Sequence, residues 1–166
     1  PISLLHQSGI INACGILMRD KRFRDTACDI LRQQSACTLK PILVENTKQH
    51  APGNSSSSND ATQVEIFNAK AAARALFEAF SGPCQESLSS EYASLGLENV
   101  EYGHLLCGTM VIWGKNHVKL LEGSDHLNLF LKMLIAFFQH QNTNLALSTM
   151  EFWMLLVKEA FQGDTK

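Results

Sequence analysis

Six histidines and five cysteines are the side chains of this chain best suited to metal binding or nucleophilic chemistry, and their spacing organises neither. A zinc site needs paired ligands, as in Cys-x-x-Cys or HExxH. His6, His50, His104, His117, His126 and His140 are scattered singly. His104 and Cys107 fall one helical turn apart, but two ligands without a second pair make a poor site, so a structural role is the simpler reading. His140, at the end of an apolar helical pattern, suits a C-terminal cap, where partial positive charge meets the helix dipole. The phosphate loops GxxxxGK[ST] and GxGxxG are absent, as is the nucleophile elbow GxSxG. With no acid–base or nucleophile set in view, the expectation is a non-enzymatic protein without cofactor, metal or small-molecule substrate.

Charge offers two weaker features. Arg19, Lys21, Arg22 and Arg24 form the one basic cluster, and Lys21, Arg22 and Arg24 are the candidate contacts for phosphate or an acidic cargo. Asp20 and Asp25 interrupt the cluster, which makes a solvated turn the competing explanation. Between Asp60 and Glu101 seven acidic residues face only Lys70 and Arg74, either an acidic stripe for a basic partner or an ordinary wet helix face. Overall charge is −2 over 166 residues, which points neither to a dedicated nucleic-acid binder nor to an acidic tail. The odd, dispersed cysteines (Cys14, Cys28, Cys37, Cys84, Cys107) read as reduced thiols among helical residues and not as a disulfide framework. No apolar run reaches the ~18 residues of a membrane span, and no signal peptide is visible. The chain opens at Pro1 without Met, so a piece of a larger protein is expected.

The elements that must position these residues are helices. Residues 8–18 place Ile10, Ile11, Cys14 and Leu17 on one side, and FRDTACDILRQQSAC places Phe23, Ala27, Ile30 and Leu31 on another, giving a helical hairpin over 1–37. A Ser/Pro/Gly-rich loop is expected over 38–60, with Asn59 or Asp60 capping the next helix. A helical repeat region spans 61–122. Its first helix, 61–80, is expected to bury Val64, Phe67, Ala71, Leu76 and Phe80, and to end at Gly82-Pro83 before a weaker helix at about 84–95. Residues 98–122 carry Val100, Leu105, Leu106, Met110, Trp113, Val118 and Leu121, with a bend near Gly114. The last hairpin, 123–163, starts at Asp125 as N-cap candidate and ends at Gly163. Its packing residues are Phe130, Leu134, Phe137, Phe138, Phe152, Trp153 and Leu156, with Leu127, Leu145 and Ala160 on the same stripes. A sustained strand pattern is absent; MVIW is the one strand-like run.

Paired helices in units of roughly 40 residues define an all-α, HEAT/armadillo-type helical-repeat solenoid, with a compact helical bundle as the competitor. A chain of this length could bury ~70% of its unfolded surface in one core.

FRDTACDILRQ, the Ser-rich interruption, the alanine-rich helix and LKMLIAFFQHQNTNLALSTMEFWMLLVKEAF together resemble the middle region of karyopherin-β exportins, nearest to the exportin-5/HASTY group. The carrying elements are a Phe-Phe-x-His helix end (Phe137, Phe138, His140) after Leu134, then a Phe-Trp-x-x-Leu element (Phe152, Trp153, Leu156). The resemblance spans most of the chain in order, through loose packing signatures. It implies a superhelix of HEAT repeats that wraps cargo with Ran-GTP, meets nucleoporins in the pore, and shuttles between nucleus and cytoplasm. The implied cargo is structured small RNA such as microRNA precursors, or protein. A plain scaffold for protein assembly, without Ran linkage, is the alternative.

Overall fold

The computed structural model describes residues 9–37, 57–89 and 97–163. They form helices α1 (Ile10–Leu17), α2 (Arg24–Ala36), α3 (Ser57–Leu88), α4 (Leu97–His117), α5 (Asp125–Phe138), α6 (Thr143–Ser148) and α7 (Met150–Gly163), with a 3-10 turn at Val118–Leu121 after α4. Among the described residues there is no strand, so MVIW lies inside α4, and no helix is long and apolar enough to cross a membrane. The fold is all-α.

The helices pack as two rows. In the first, α3 lies between α1 and α5; in the second, α4 lies between α2 on one side and α6 and α7 on the other. Neighbours within the second row run parallel. Arg24 sits on Tyr102, Cys28 meets Thr109 and Ser35 meets Asn116, so α2 and α4 advance together. Lys115 pairs with Glu151 and Lys119 with Glu159, which sets α4 parallel to α7. The middle pair across the rows, α3 and α4, runs antiparallel, because Trp113 of α4 meets Phe77 of α3 while Gly103 lies by Ser87. The first pair, α1 and α2, makes no comparable contact with α5, α6 or α7.

Position in the rows decides burial. The α3 helix is covered from several sides, which explains why Ala72, Ala73, Ala75, Leu76, Phe77 and Phe80 are all buried, a wider arc than a single stripe. Small alanines permit that close approach and favour helix. Its partner α4 buries Tyr102, Leu106, Thr109, Met110, Trp113 and His117 around most of its circumference, the character of a helix enclosed by others. Trp113 is the hub, with ring centroids 5.1 Å from Phe77, 5.2 Å from Phe130 and 6.0 Å from Phe80. Its indole N–H donates to the Ala73 carbonyl at 3.0 Å.

Several expectations change. The α3 helix starts at Ser57, so Asn59 and Asp60 stand in its first turn and are not caps. Residues 38–56 of the expected loop, and 90–95 of the expected weaker helix, lie outside the described residues, as do the side chains of Val64 and Ala160. Pro83 does not end α3, which runs on to Leu88. Proline removes one hydrogen bond, here to the Ala79 carbonyl. Buried Phe80 and Cys84, with Leu88 packed against the core, carry the apolar face across the break and hold the helix together. The same stretch of α3 is approached closely by α1: a Cβ on Gly15 would lie 3.1–3.2 Å from Ala79 Cα, Cβ and O. Phe67 is exposed, as are Ile10, Leu17, Phe23 and Ile30. Ser124, with extended backbone, takes the N-cap position of α5, and Asp125 is the first helical residue.

In the last hairpin Phe130, Leu134, Phe137 and Phe152 are buried, while Trp153 and Leu156 are partly buried against the core. Phe138 is 47% exposed, so its expected core role is overturned. One residue is 100° of helical turn; once Phe137 faces inward, Phe138 is carried to the flank, where its ring meets Trp153 at 6.3 Å. The expected second helix is divided at Thr149. Asn142 opens α6, its Oδ1 accepting from the N–H groups of Asn144 and Leu145, and buried Thr149 donates to the Ala146 carbonyl.

Four of the five cysteines are buried and Cys37 is exposed. Burial pushes the Cys28 thiol up to about 11 and Cys107 up to about 12, and Cys84 is raised by burial with Cys28 and Cys107 nearby. The thiolate is the nucleophile, so these groups are held inert. A thiol reagent applied to the reduced native protein is expected to label one cysteine quickly, lost in Cys37→Ser, and four more after denaturation. Rapid native labelling of more than one group would contradict this packing.

Candidate functional site

The parallel run of α2 and α4 sets their N-terminal halves side by side and opens a polar cleft of about 790 Å³ on the second row. From the α1–α2 turn and α2 it takes Lys21, Arg24, Asp25 and Arg32. From α4 it takes Glu101, Tyr102, His104 and Leu105, and from α6 Ser148. The volume is within the ~300–1,000 Å³ range of binding clefts.

Two of the three basic candidates line this cleft, and the third does not. Arg24 lies with its guanidinium carbon 4.6 Å from the Tyr102 ring centroid, a cation–π contact, and its Nε is 3.4 Å from Asp25. Tyr102 is itself anchored, its hydroxyl donating to the Met18 carbonyl at 3.1 Å. Arg24 is therefore a packing residue as well as a cleft residue. Lys21 is exposed at the cleft. Arg22 folds back on Asp20: its backbone N–H and Nε donate to Oδ1 and its Nη2 to Oδ2 at 2.7 Å. Those hydrogen bonds hold the Asp20 carboxyl down at about 2. They also close the turn, and Arg22 belongs to that turn. Arg19 reaches Glu86 on α3 at 3.6 Å.

Sequence reasoning missed Arg32, Glu101, Tyr102 and Ser148 as cleft residues. Arg32 and Tyr102 are seventy residues apart, and only the parallel register of α2 and α4 brings their helices together. The pattern of buried Ala27, Cys28 and Leu31 marks which face of α2 is covered, but not by what. His104 and Cys107 turn to different partners on α6. His104 Nδ1 is 3.4 Å from Ser148 Oγ, and Cys107 Sγ is 3.9 Å from the Leu145 carbonyl. No group of three or more His, Cys, Asp or Glu gathers as a metal cluster among the described residues. His140 Nδ1 accepts from the Asn142 N–H at 3.0 Å and shapes the turn into α6. In the acidic region, Glu78 pairs with His126 at 3.1 Å and Glu86 with Arg19, so part of the stripe is spent inside the fold.

At the other end of the α2–α4 contact, α4 caps α2. The last four carbonyls of a helix lack intrahelical donors. The Ser35 carbonyl, one of these, accepts from Asn116 Nδ2 and from His117 Nε2, each at 3.0 Å. A carbonyl only accepts, so Nε2 carries the proton and the buried Nδ1 is left bare. Burial pushes the His117 imidazole down from 6.5 to about 4, against a smaller upward pull from the Ser35 hydrogen bond. The unfolded chain therefore binds a proton first. The contribution of His117 to stability is complete above about pH 6.5 and falls as pH drops from there toward 4, by up to ~3 kcal/mol. Urea midpoints across that interval check it. His117→Gln is expected to flatten the slope, and an unchanged slope would show that other groups drive it.

Comparison of the chain with family models, with curated proteins and with solved structures finds no match.

Proposed function

We propose that this chain is a HEAT-type segment of a nuclear export receptor, supplying part of a curved helical scaffold that holds cargo together with Ran-GTP. The observation that carries the reading is the packing of the helices in two rows, in which the middle pair, α3 and α4, packs on the pair before it and the pair after it. That is how repeat solenoids propagate, with stability summed from units and nearest-neighbour interfaces. The Phe-Phe-x-His and Phe-Trp-x-x-Leu elements add the resemblance to exportins. Cargo is structured RNA or protein, gripped by many dispersed contacts along the second row, where the cleft opens. Ran-GTP and cargo then favour the same superhelical shape, which couples their affinities. Passage through the pore requires nucleoporin contact, and the receptor shuttles between nucleus and cytoplasm.

The test is a pull-down of an RNA hairpin and of protein cargo by this chain, and by a longer polypeptide containing it, with Ran loaded with GTP or GDP. Tighter binding with Ran-GTP supports export. Equal binding supports the second reading, a scaffold for protein assembly without Ran. One observation favours that alternative: the cleft interleaves Lys21, Arg24 and Arg32 with Asp25 and Glu101, and Arg24 and Arg32 already lie against carboxylates. Such a surface suits a mixed-charge protein better than a continuous phosphate backbone.

A further inference from the structure

The cleft between α2, α4 and α6 has two sides of opposite hydrogen-bonding character. On α4, Glu101 and His104 stand three residues apart and are neighbours on one helical face. Glu101 is exposed and enters no ion pair among the described residues. The tautomer of His104 follows from its partner. Ser148 Oγ donates its single proton to the Asn144 carbonyl at 2.9 Å, so toward His104 Nδ1, 3.4 Å away, it is the acceptor. Nδ1 then carries the imidazole proton, and Nε2 of the neutral ring is left as an acceptor. The α4 side therefore accepts hydrogen bonds and carries negative charge.

Lys21 and Arg32 supply donors from the other side. Lys21 is exposed, and the Arg32 side chain is 45% exposed, its ion pair with Asp29 running through Nη2 at 3.4 Å. A guanidinium has five N–H donors, so a ligand can still engage it. Arg24 and Asp25, which also line the cleft, lie against each other. A phosphate backbone suits the donor side alone and is repelled by Glu101. A ligand with a cationic donor and an anionic acceptor suits both sides. We infer that the cleft binds a short peptide segment of a partner protein that carries a basic and an acidic side chain. The basic group meets Glu101 and His104 Nε2, and the carboxylate meets Lys21 and Arg32. Ser148 is a positioning residue, because it fixes which nitrogen of His104 accepts. This inference names the ligand chemistry of the cleft and rests on the protein-binding side of the proposed function, with or without Ran.

Amide and imidazole NMR spectra of the purified chain test it, titrated with blocked alanine-based peptides that carry one arginine and one aspartate at several separations. Companion peptides lack either the arginine or the aspartate. Before peptide is added, His104 is expected as the Nδ1–H tautomer, and Ser148→Ala is expected to shift it to Nε2–H. The best two-charge peptide is expected to bind about fivefold tighter than either companion. Glu101→Gln and Ser148→Ala are each expected to remove the gain that arginine gives, and Arg32→Gln the gain that aspartate gives, with amide spectra otherwise matching the parent. Companions that bind as tightly as the two-charge peptide at every separation would overturn the proposal. So would a native His104 in the Nε2–H form, since the acceptor would then be gone. An RNA hairpin that shifts the cleft amides and binds more tightly to Glu101→Gln would overturn it too, by marking a phosphate surface. Peptide binding that fails while the pull-down still captures protein cargo would sink the cleft assignment alone; failure of both would sink the protein-binding reading with it.

Discussion

Replacing Trp113 by Ala is expected to destabilise the protein by ~3–5 kcal/mol. The indole is fully buried and touches the rings of Phe77, Phe80, Phe130 and His117, which come from α3, α5 and α4. These aromatic neighbours pack on each other as well, Phe77 against Phe80 at 5.5 Å and Phe130 against Phe152 at 5.1 Å. Their positions are mutually fixed, so the void left by the indole closes poorly. Since typical domains are stable by only ~5–15 kcal/mol, the loss is a large share of the total. Trp113→Phe is the control, keeping an aromatic ring and losing the hydrogen bond to the Ala73 carbonyl. It should cost less, ~1–2 kcal/mol. The readout is the urea midpoint with unchanged slope. A loss under ~1 kcal/mol for the alanine variant would mean that the indole is not the hub of this core.

The second large effect turns on glycine in the same helix. A Cβ at Gly114 would lie 2.5 Å from Phe130 Cζ and 2.8 Å from Phe152 Cε2. Gly114 is therefore where α4 lets rings from α5 and α7 rest on its backbone. Gly114→Val is expected to cost about 3 kcal/mol through overpacking, because both rings are fully buried and have no room to retreat. Gly108 lies earlier in the same helix, with nothing within 4 Å of its Cβ position. Gly108→Ala is accordingly expected to stabilise by up to ~1 kcal/mol through helix propensity alone. Opposite signs in thermal midpoints check the pair; loss at both positions would refute the packing assigned to Gly114.

Gly114 also shows where sequence reading stops. Three glycines in an apolar helix suggest a cost and a bend near Gly114. The helix instead continues to His117, and the 3-10 turn comes after it, at Val118–Leu121. The glycine serves close approach, which depends on Phe130 and Phe152, residues that local spacing cannot connect to it. Phe77 was missed for a related reason. A single stripe through 61–80 picks Phe67, which is exposed, and skips Phe77, which is buried, because α3 is covered on several sides. Phe137 and Phe138 are adjacent and chemically identical, and only the packing of α5 selects the first.

The cleft divides in the same way. Lys21 and Arg24 were legible as a local basic cluster, since charge and short spacing are written in the chain. Arg22 belonged to that cluster equally by sequence, yet its geometry gives it to Asp20. Arg32, Glu101, Tyr102 and Ser148 join the cleft through the packing of α2, α4 and α6, across separations that periodicity does not encode.

The amino-acid sequence by itself determined the helical class and part of the buried apolar set, such as Phe130, Leu134 and Phe152. Those properties come from 3.6-residue periodicity and local propensity, which act over a few turns. The tertiary structure decided which pair stands in the middle, how α2 and α4 align, and that Pro83 is carried inside α3. Those outcomes depend on how many neighbours each helix has, and that number is a property of the packed rows and not of any one segment.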